Sequence, residues 1–98
     1  MNNFLDKKCI IRGDRSGVFF GTVKSINGRN VELETVRRIW YWDGANSISD
    51  LALQGTKKPD DCKFTKSVEQ LLLTDVIEII PATPEAITNI ESVRAWTF

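Results

Sequence analysis

The sequence predicts a mainly β protein, a small twisted antiparallel sheet or partly open barrel with two short helices. Three observations lead there. Short runs of β-branched and aromatic residues recur along the 98 residues, separated by turn clusters. Asn27-Gly28, between two such runs, is the strongest short hairpin signal in the chain. Only two stretches change to helical spacing, and each opens on a capping residue. The length fits one domain over residues 1–98, with 42% hydrophobic and 27% charged residues, as in an ordinary globular chain.

The elements follow in order. Residues 8–12 (Lys-Cys-Ile-Ile-Arg) form a short strand, ended by the turn cluster Gly13-Asp14-Arg15-Ser16-Gly17. Residues 18–26 alternate, with Val18, Phe20, Thr22, Lys24 and Ile26 on one face and Phe19, Gly21, Val23 and Ser25 on the other. Apolar residues on both faces predict burial on both, and Gly21 marks a bulge or a close approach of another backbone. Asn27-Gly28 then turns the chain into residues 30–36, with Val31, Leu33 and Thr35 inward and Glu32 and Glu34 toward water. Residues 37–42 (Arg-Arg-Ile-Trp-Tyr-Trp) read as a strand with Trp40 and Trp42 on one face, Ile39 and Tyr41 on the other. After Asp43-Gly44-Ala45-Asn46, Ser47 to Asp50 resembles a capping box with Asp in place of Glu, and Gly55 stops the helix. Residues 56–62 read as loop. Residues 68–73 and 75–80 are extended, the second closed by Pro81. Thr83-Pro84-Glu85 starts a helix whose stripe is Ile87, Ile90 and Val93, and residues 95–98 close the chain as a short extended piece.

Composition removes several function classes. Thirteen Lys and Arg balance thirteen Asp and Glu, so the formal net charge is zero, whereas a protein that coats DNA needs a positive excess. Duplex nucleic acid is therefore not expected as a partner. The chain has no histidine, which excludes a Ser-His-Asp triad, a Cys-His dyad and a His-bearing metal site. Cys9 and Cys62 are too few for a four-thiolate zinc site. No signal peptide is visible behind Lys7-Lys8, so both thiols are expected to be buried and reduced in a cytoplasm. No run approaches the roughly 18–20 apolar residues of a membrane span. The acidic residues show no spacing that singles out an acid–base pair. The expectation is a non-enzyme without cofactor or metal, and a neutral surface that permits a homo-oligomer.

Residues 37–50 carry the densest chemistry. Two of the three tryptophans and the only tyrosine are consecutive beside two arginines. An aromatic face stacks on a base, and an Arg fork holds phosphate through two hydrogen bonds. The N–H groups of the helix after Asn46 offer a second place for an anionic oxygen, with the small Gly44 and Ala45 allowing close approach. Asp43 or Asn46 can accept from a base amine or a ribose hydroxyl. Candidate ligand-binding residues are Arg37, Arg38, Trp40, Tyr41, Trp42, Asp43, Asn46, Ser47 and Lys63. The same residues also suit plainer roles: the rings as core, and Arg37 and Arg38 as salt-bridge partners of Glu32 or Glu34. Lys57-Lys58 and Lys63 to Lys66 form a further basic loop, able in an oligomer to close a neighbour's site.

The stretch Arg-Arg-Ile-Trp-Tyr-Trp-Asp-Gly-Ala, followed by Ser47, Leu51 and Ala52, resembles a family of small bacteriophage and prophage proteins. Pro59, Cys62-Lys63-Phe64 and residues 76–83 (Val-Ile-Glu-Ile-Ile-Pro-Ala-Thr) extend the likeness over most of the chain beyond about Gly17. The resemblance implies a phage origin and the host cytoplasm. It shifts the expected role to binding, because phage sponge proteins of this size soak up cyclic nucleotide or ADP-ribose immune signals as oligomers. The leading expectation is a nucleotide-capturing anti-defence sponge, with a protein-interaction module that has no small-molecule ligand as the alternative. Single-stranded nucleic-acid binding and nucleotide cleavage are weaker rivals.

Overall fold

The alternation along residues 8–41 becomes a three-strand meander in a computed structural model that describes residues 3–97: β1 (Lys8–Gly13), β2 (Val18–Asn27) and β3 (Asn30–Tyr41). Helix α1 (Ile48–Gln54), a 3-10 turn at Pro59–Asp61, and strands β4 (Lys63–Phe64), β5 (Val68–Leu73) and β6 (Val76–Pro81) follow, before helix α2 (Pro84–Ser92). All strand pairs are antiparallel, in the order β4-β3-β2-β1-β6, with β5 also on β3. The twelve residues of β3 serve two partners on one edge: residues 31–36 pair with β5 and residues 39–41 with β4. Among the described residues no ladder joins β5 to β6, so the curled sheet stays open there.

Two cores explain why the strands are apolar on both sides. Ile10, Phe20, Ile39 and Phe64 face the helices and meet Leu51 of α1 and Ile90 of α2. On the other side Cys9, Ile11, Phe19, Val23, Val31 and Leu33 form a second cluster, around which the sheet curls. Cys9 and Cys62 belong to different clusters and are free thiols, and burial pushes the Cys9 thiol up to about 11, which makes it a poor nucleophile.

The helix signals act as the sequence predicts. The Ser47 hydroxyl accepts from the Asp50 N–H, and Gly55 closes α1 through its N–H to the Leu51 carbonyl. Thr83 caps α2, with Pro84 in the first turn. In the 56–62 segment the 3-10 turn replaces plain loop. At the chain end Ala95 bridges to Phe64; Phe98, assigned to the same extended piece, lies outside the described residues, as do Met1 and Asn2.

Four bulges interrupt the ladders, one between β1 and β6 at Ile77 and three along β2 and β3, and each of these three changes by one residue which way side chains point. Phe20 pairs with Arg37 and Thr22 with Glu34, so Gly21 faces both Thr35 and Val36. Val36 therefore turns inward, and Thr35, expected inside, is exposed with φ at 48°. An extra residue at Lys24 swings Ile26 from the Phe20 side to the second cluster. The third bulge, between Ile39 and Tyr41, breaks the expected pairing of faces among the rings. The hairpin is also one residue on from its expected place: Asn27 pairs with Asn30, and the two-residue loop is Gly28-Arg29. Gly28 takes the positive φ of 63° at the first loop position, where glycine is favoured.

The turn after β1 is held from across the sheet. The Asp75 carboxylate accepts from the N–H groups of Arg15 and Ser16 at 2.8 and 2.9 Å and from the Ser16 hydroxyl at 2.7 Å. The Arg15 N–H, then the Ser16 hydroxyl, hold its pKa below the usual carboxylate value. A carboxylate depressed in the folded state adds stability above its unfolded pKa of about 3.9, lost as pH falls through the folded value. Asp75→Asn is expected to flatten the fall of the melting temperature below about pH 4. An acid limb of unchanged slope in the variant contradicts that role.

Candidate functional site: an aromatic edge beside a buried arginine

The sheet edge formed by β3, β4 and residues 95–96 brings one group of rings together. Phe64 turns into the helix-side core, so Lys63, one residue earlier on β4, points the other way. Beyond β4, the Trp96 N–H donates to the Phe64 carbonyl at 2.8 Å, which lays Trp96 alongside. There Trp40 and Trp96 stack with centroids 5.3 Å apart and planes 18° from parallel. The Lys63 ammonium lies 5.2 Å from the Trp40 centroid and 5.3 Å from that of Trp96. Three nearly equal separations make a triangle, so the cation bridges both rings. Trp40 remains 60% exposed and Tyr41 47%. Next to Trp96 an open cleft of about 350 Å³ is lined by Asp60, Arg94 and Thr97 among others.

The other candidate residues are placed apart from this edge. Trp42 is half-buried against the helix-side core, because the bulge at Trp40 puts it with Ile39 instead of with Trp40. Arg37 is half-buried on the Phe64 side of β4. Its guanidinium donates to the carbonyls of Thr65 and Ile90 at 2.9 Å each and of Phe64 at 3.4 Å, with Cζ 5.4 Å from the Phe64 ring. It therefore ties β4 to the end of α2. Arg38 points to the opposite side, 4.7 Å over the Phe19 ring, and donates to the Ser16 carbonyl at 3.4 Å. No ion pair joins either arginine to Glu32 or Glu34 among the described residues.

The 43–47 segment is occupied by its own chain. Asp43 accepts from the Gly44 N–H at 2.7 Å and faces Lys58 at 4.0 Å. Gly44, with φ at 83°, is approached closely by residues 56–58: a Cβ there would lie 2.5 Å from the Lys58 nitrogen. The small residue thus admits the protein's own loop where the sequence suggested an anion. At the start of α1 the Asn46 N–H donates to the Asp50 carboxylate at 3.2 Å, so a negative charge already sits there beside the Ser47 cap. Sequence reasoning missed Trp96 as a partner of Trp40, since 56 positions separate them and only the Phe64 ladder joins them.

Among the described residues no three Cys, Asp or Glu side chains gather as a metal site, and no helix is long and apolar enough to cross a membrane. Fold and site together define a small open antiparallel β protein that displays a tryptophan pair with a lysine at its sheet edge. The chain belongs to the family described as domain of unknown function DUF6948, which matches residues 6–90. Comparison with curated proteins finds no match.

Proposed function

We propose that this is a non-enzymatic bacteriophage binding protein that works in the host cytoplasm as an anti-defence sponge. Its guest is a nucleotide immune signal, of cyclic nucleotide or ADP-ribose type. The base stacks on Trp40, and Lys63 and Arg94 meet the phosphates. The exposed Trp40 ring, braced from behind by Trp96 and bridged by Lys63, is the single observation that carries the reading. A Trp pair of this kind is preorganised, so a base docks without ordering loose side chains. Sequestration needs a Kd near nanomolar, about −12 kcal/mol. The open cleft beside Trp96 leaves a guest half wet, so a second copy that closes over the edge is part of the proposal.

A thermal-shift panel of cyclic di- and trinucleotides and ADP-ribose species tests it. Ligand at 100 times Kd is expected to add about 2.7 kcal/mol of apparent stability, and Trp40→Ala to remove about 1–3 kcal/mol of binding free energy. Recovery of the nucleotide intact after denaturation checks that no bond is cleaved. A panel with no shift moves the assignment to a protein-interaction module. The adjacent exposed Trp40 and Tyr41 favour that second reading, being residue types that anchor protein interfaces.

A further inference from the structure

We infer that the cleft between the Thr35 bulge of β3 and the end of α2 is a separate binding site, for a small organophosphate. The cleft measures about 510 Å³ and is lined by Phe20, Thr35, Arg37, Lys66, Ser67 and Val93, together with the Glu91 carboxylate and Ala95. That size suits a small molecule. Its chemistry is divided: Phe20 and Val93 are apolar walls, whereas Thr35, Arg37, Lys66 and Ser67 all offer donors.

The charge in this cleft is unbalanced. Arg37 has only carbonyl partners, so its positive charge meets no carboxylate, and three of its five N–H groups are used. Lys66 has no hydrogen bond or ion pair among the described residues. Glu91, the one acid of the lining, is paired with Lys8. Two free guanidinium N–H groups, one ammonium and two hydroxyls match the three oxygens of a phosphate monoester, and the apolar walls match a small hydrocarbon body.

Thr35 supplies an independent observation. At a φ of 48° glycine is the residue without strain, yet the chain places a β-branched residue there with its side chain at the cleft. Strain at a position that lines a cavity is what a binding role for the hydroxyl explains.

The site stands on the Phe64 side of β4, shares only Ala95 with the cleft beside Trp96, and does not depend on the nucleotide reading. Amide NMR titration of the whole protein with inorganic phosphate and with phenyl phosphate tests it. Phenyl phosphate is expected to move the Thr35, Lys66 and Ser67 resonances saturably, and to bind at least tenfold tighter than inorganic phosphate. Lys66→Ala with Ser67→Ala is expected to weaken binding at least tenfold at unchanged melting temperature. Thr35→Gly weakens it without lowering the melting temperature, and Trp40→Ala leaves it intact. Resonances that stay still through millimolar phenyl phosphate overturn the inference, as does wild-type affinity in the Lys66/Ser67 variant. Loss of binding in Trp40→Ala overturns it too, by moving the ligand to the aromatic edge. Failure of the nucleotide panel alone leaves this site standing.

Discussion

Arg37→Ala is expected to lower the free energy of unfolding by about 1–3 kcal/mol, read as a drop in the urea midpoint with the slope unchanged. The Thr65 carbonyl loses its donor, while the carbonyls of Ile90 and Phe64 lose one and keep the N–H groups of Val93 and Trp96. A buried acceptor left unpaired costs about 1–3 kcal/mol, and partial exposure lets water recover some of that total. The Phe64 ring also loses the cation above it. Burial already disfavours the charge, holding the Arg37 pKa below its ordinary value, so the hydrogen bonds must outweigh desolvation for the group to stay. Arg37→Lys is not expected to restore stability, because an ammonium cannot reach three carbonyls in the plane of a guanidinium fork. From the sequence alone the residue looks like a phosphate ligand or a salt-bridge partner of Glu32 or Glu34. The carbonyl contacts add a structural role to the first, and a variant that melts with the wild type shows those contacts to be idle in solution.

The contrast between Arg37 and Lys63 shows what was legible in the sequence. Local signals translate directly. Ser47 and Thr83 cap the helices, the β-branched runs are strands, and apolar residues on both faces of β2 announce two cores. Gly21 signals a bulge, and a bulge is there. What period-2 reading cannot supply is the count of bulges along one strand, because each extra residue inverts every face after it. Thr35 and Val36 exchange roles for this reason, and Trp40 parts from Trp42. The site suffers most, since Arg37 and Arg38 follow one bulge in β3, Trp40 forms the next, and Tyr41 and Trp42 follow both. A second gap is one of sequence distance. Lys63 reaches Trp40 because β4 pairs with β3, and Trp96 because residues 95–96 run beside β4; nothing near Trp40 in the chain encodes either contact. Charged side chains mislead in a third way. Arg37 and Arg38 are neighbours that leave opposite faces, one to a cluster of carbonyls and the other to an aromatic ring.

Gly21→Val is expected to destabilise the fold by about 3 kcal/mol, and Gly21→Ala by somewhat less. A Cβ at this position would stand 2.8 Å from the Val36 Cβ and 3.1 Å from its Cα. Neither atom belongs to a flexible side-chain tip, so relief requires the β3 backbone to move. That movement is resisted on both sides, by the ladder to β5 through Val36 and by the inward packing of Val36, which is 1% exposed. A double-mutant cycle isolates the cause. Val36→Ala keeps the Cβ that collides and is expected to give no rescue of Gly21→Ala. Val36→Gly removes it and is expected to give favourable coupling, even though it loses buried surface by itself. Thermal and urea unfolding of the three single and two double variants measures both terms. Equal coupling for the two Val36 substitutions refutes the collision as the cause, whereas the expected difference fixes the strand approach that sets the bulge, turns Thr35 out to the cleft, and reorients everything from Val36 onward.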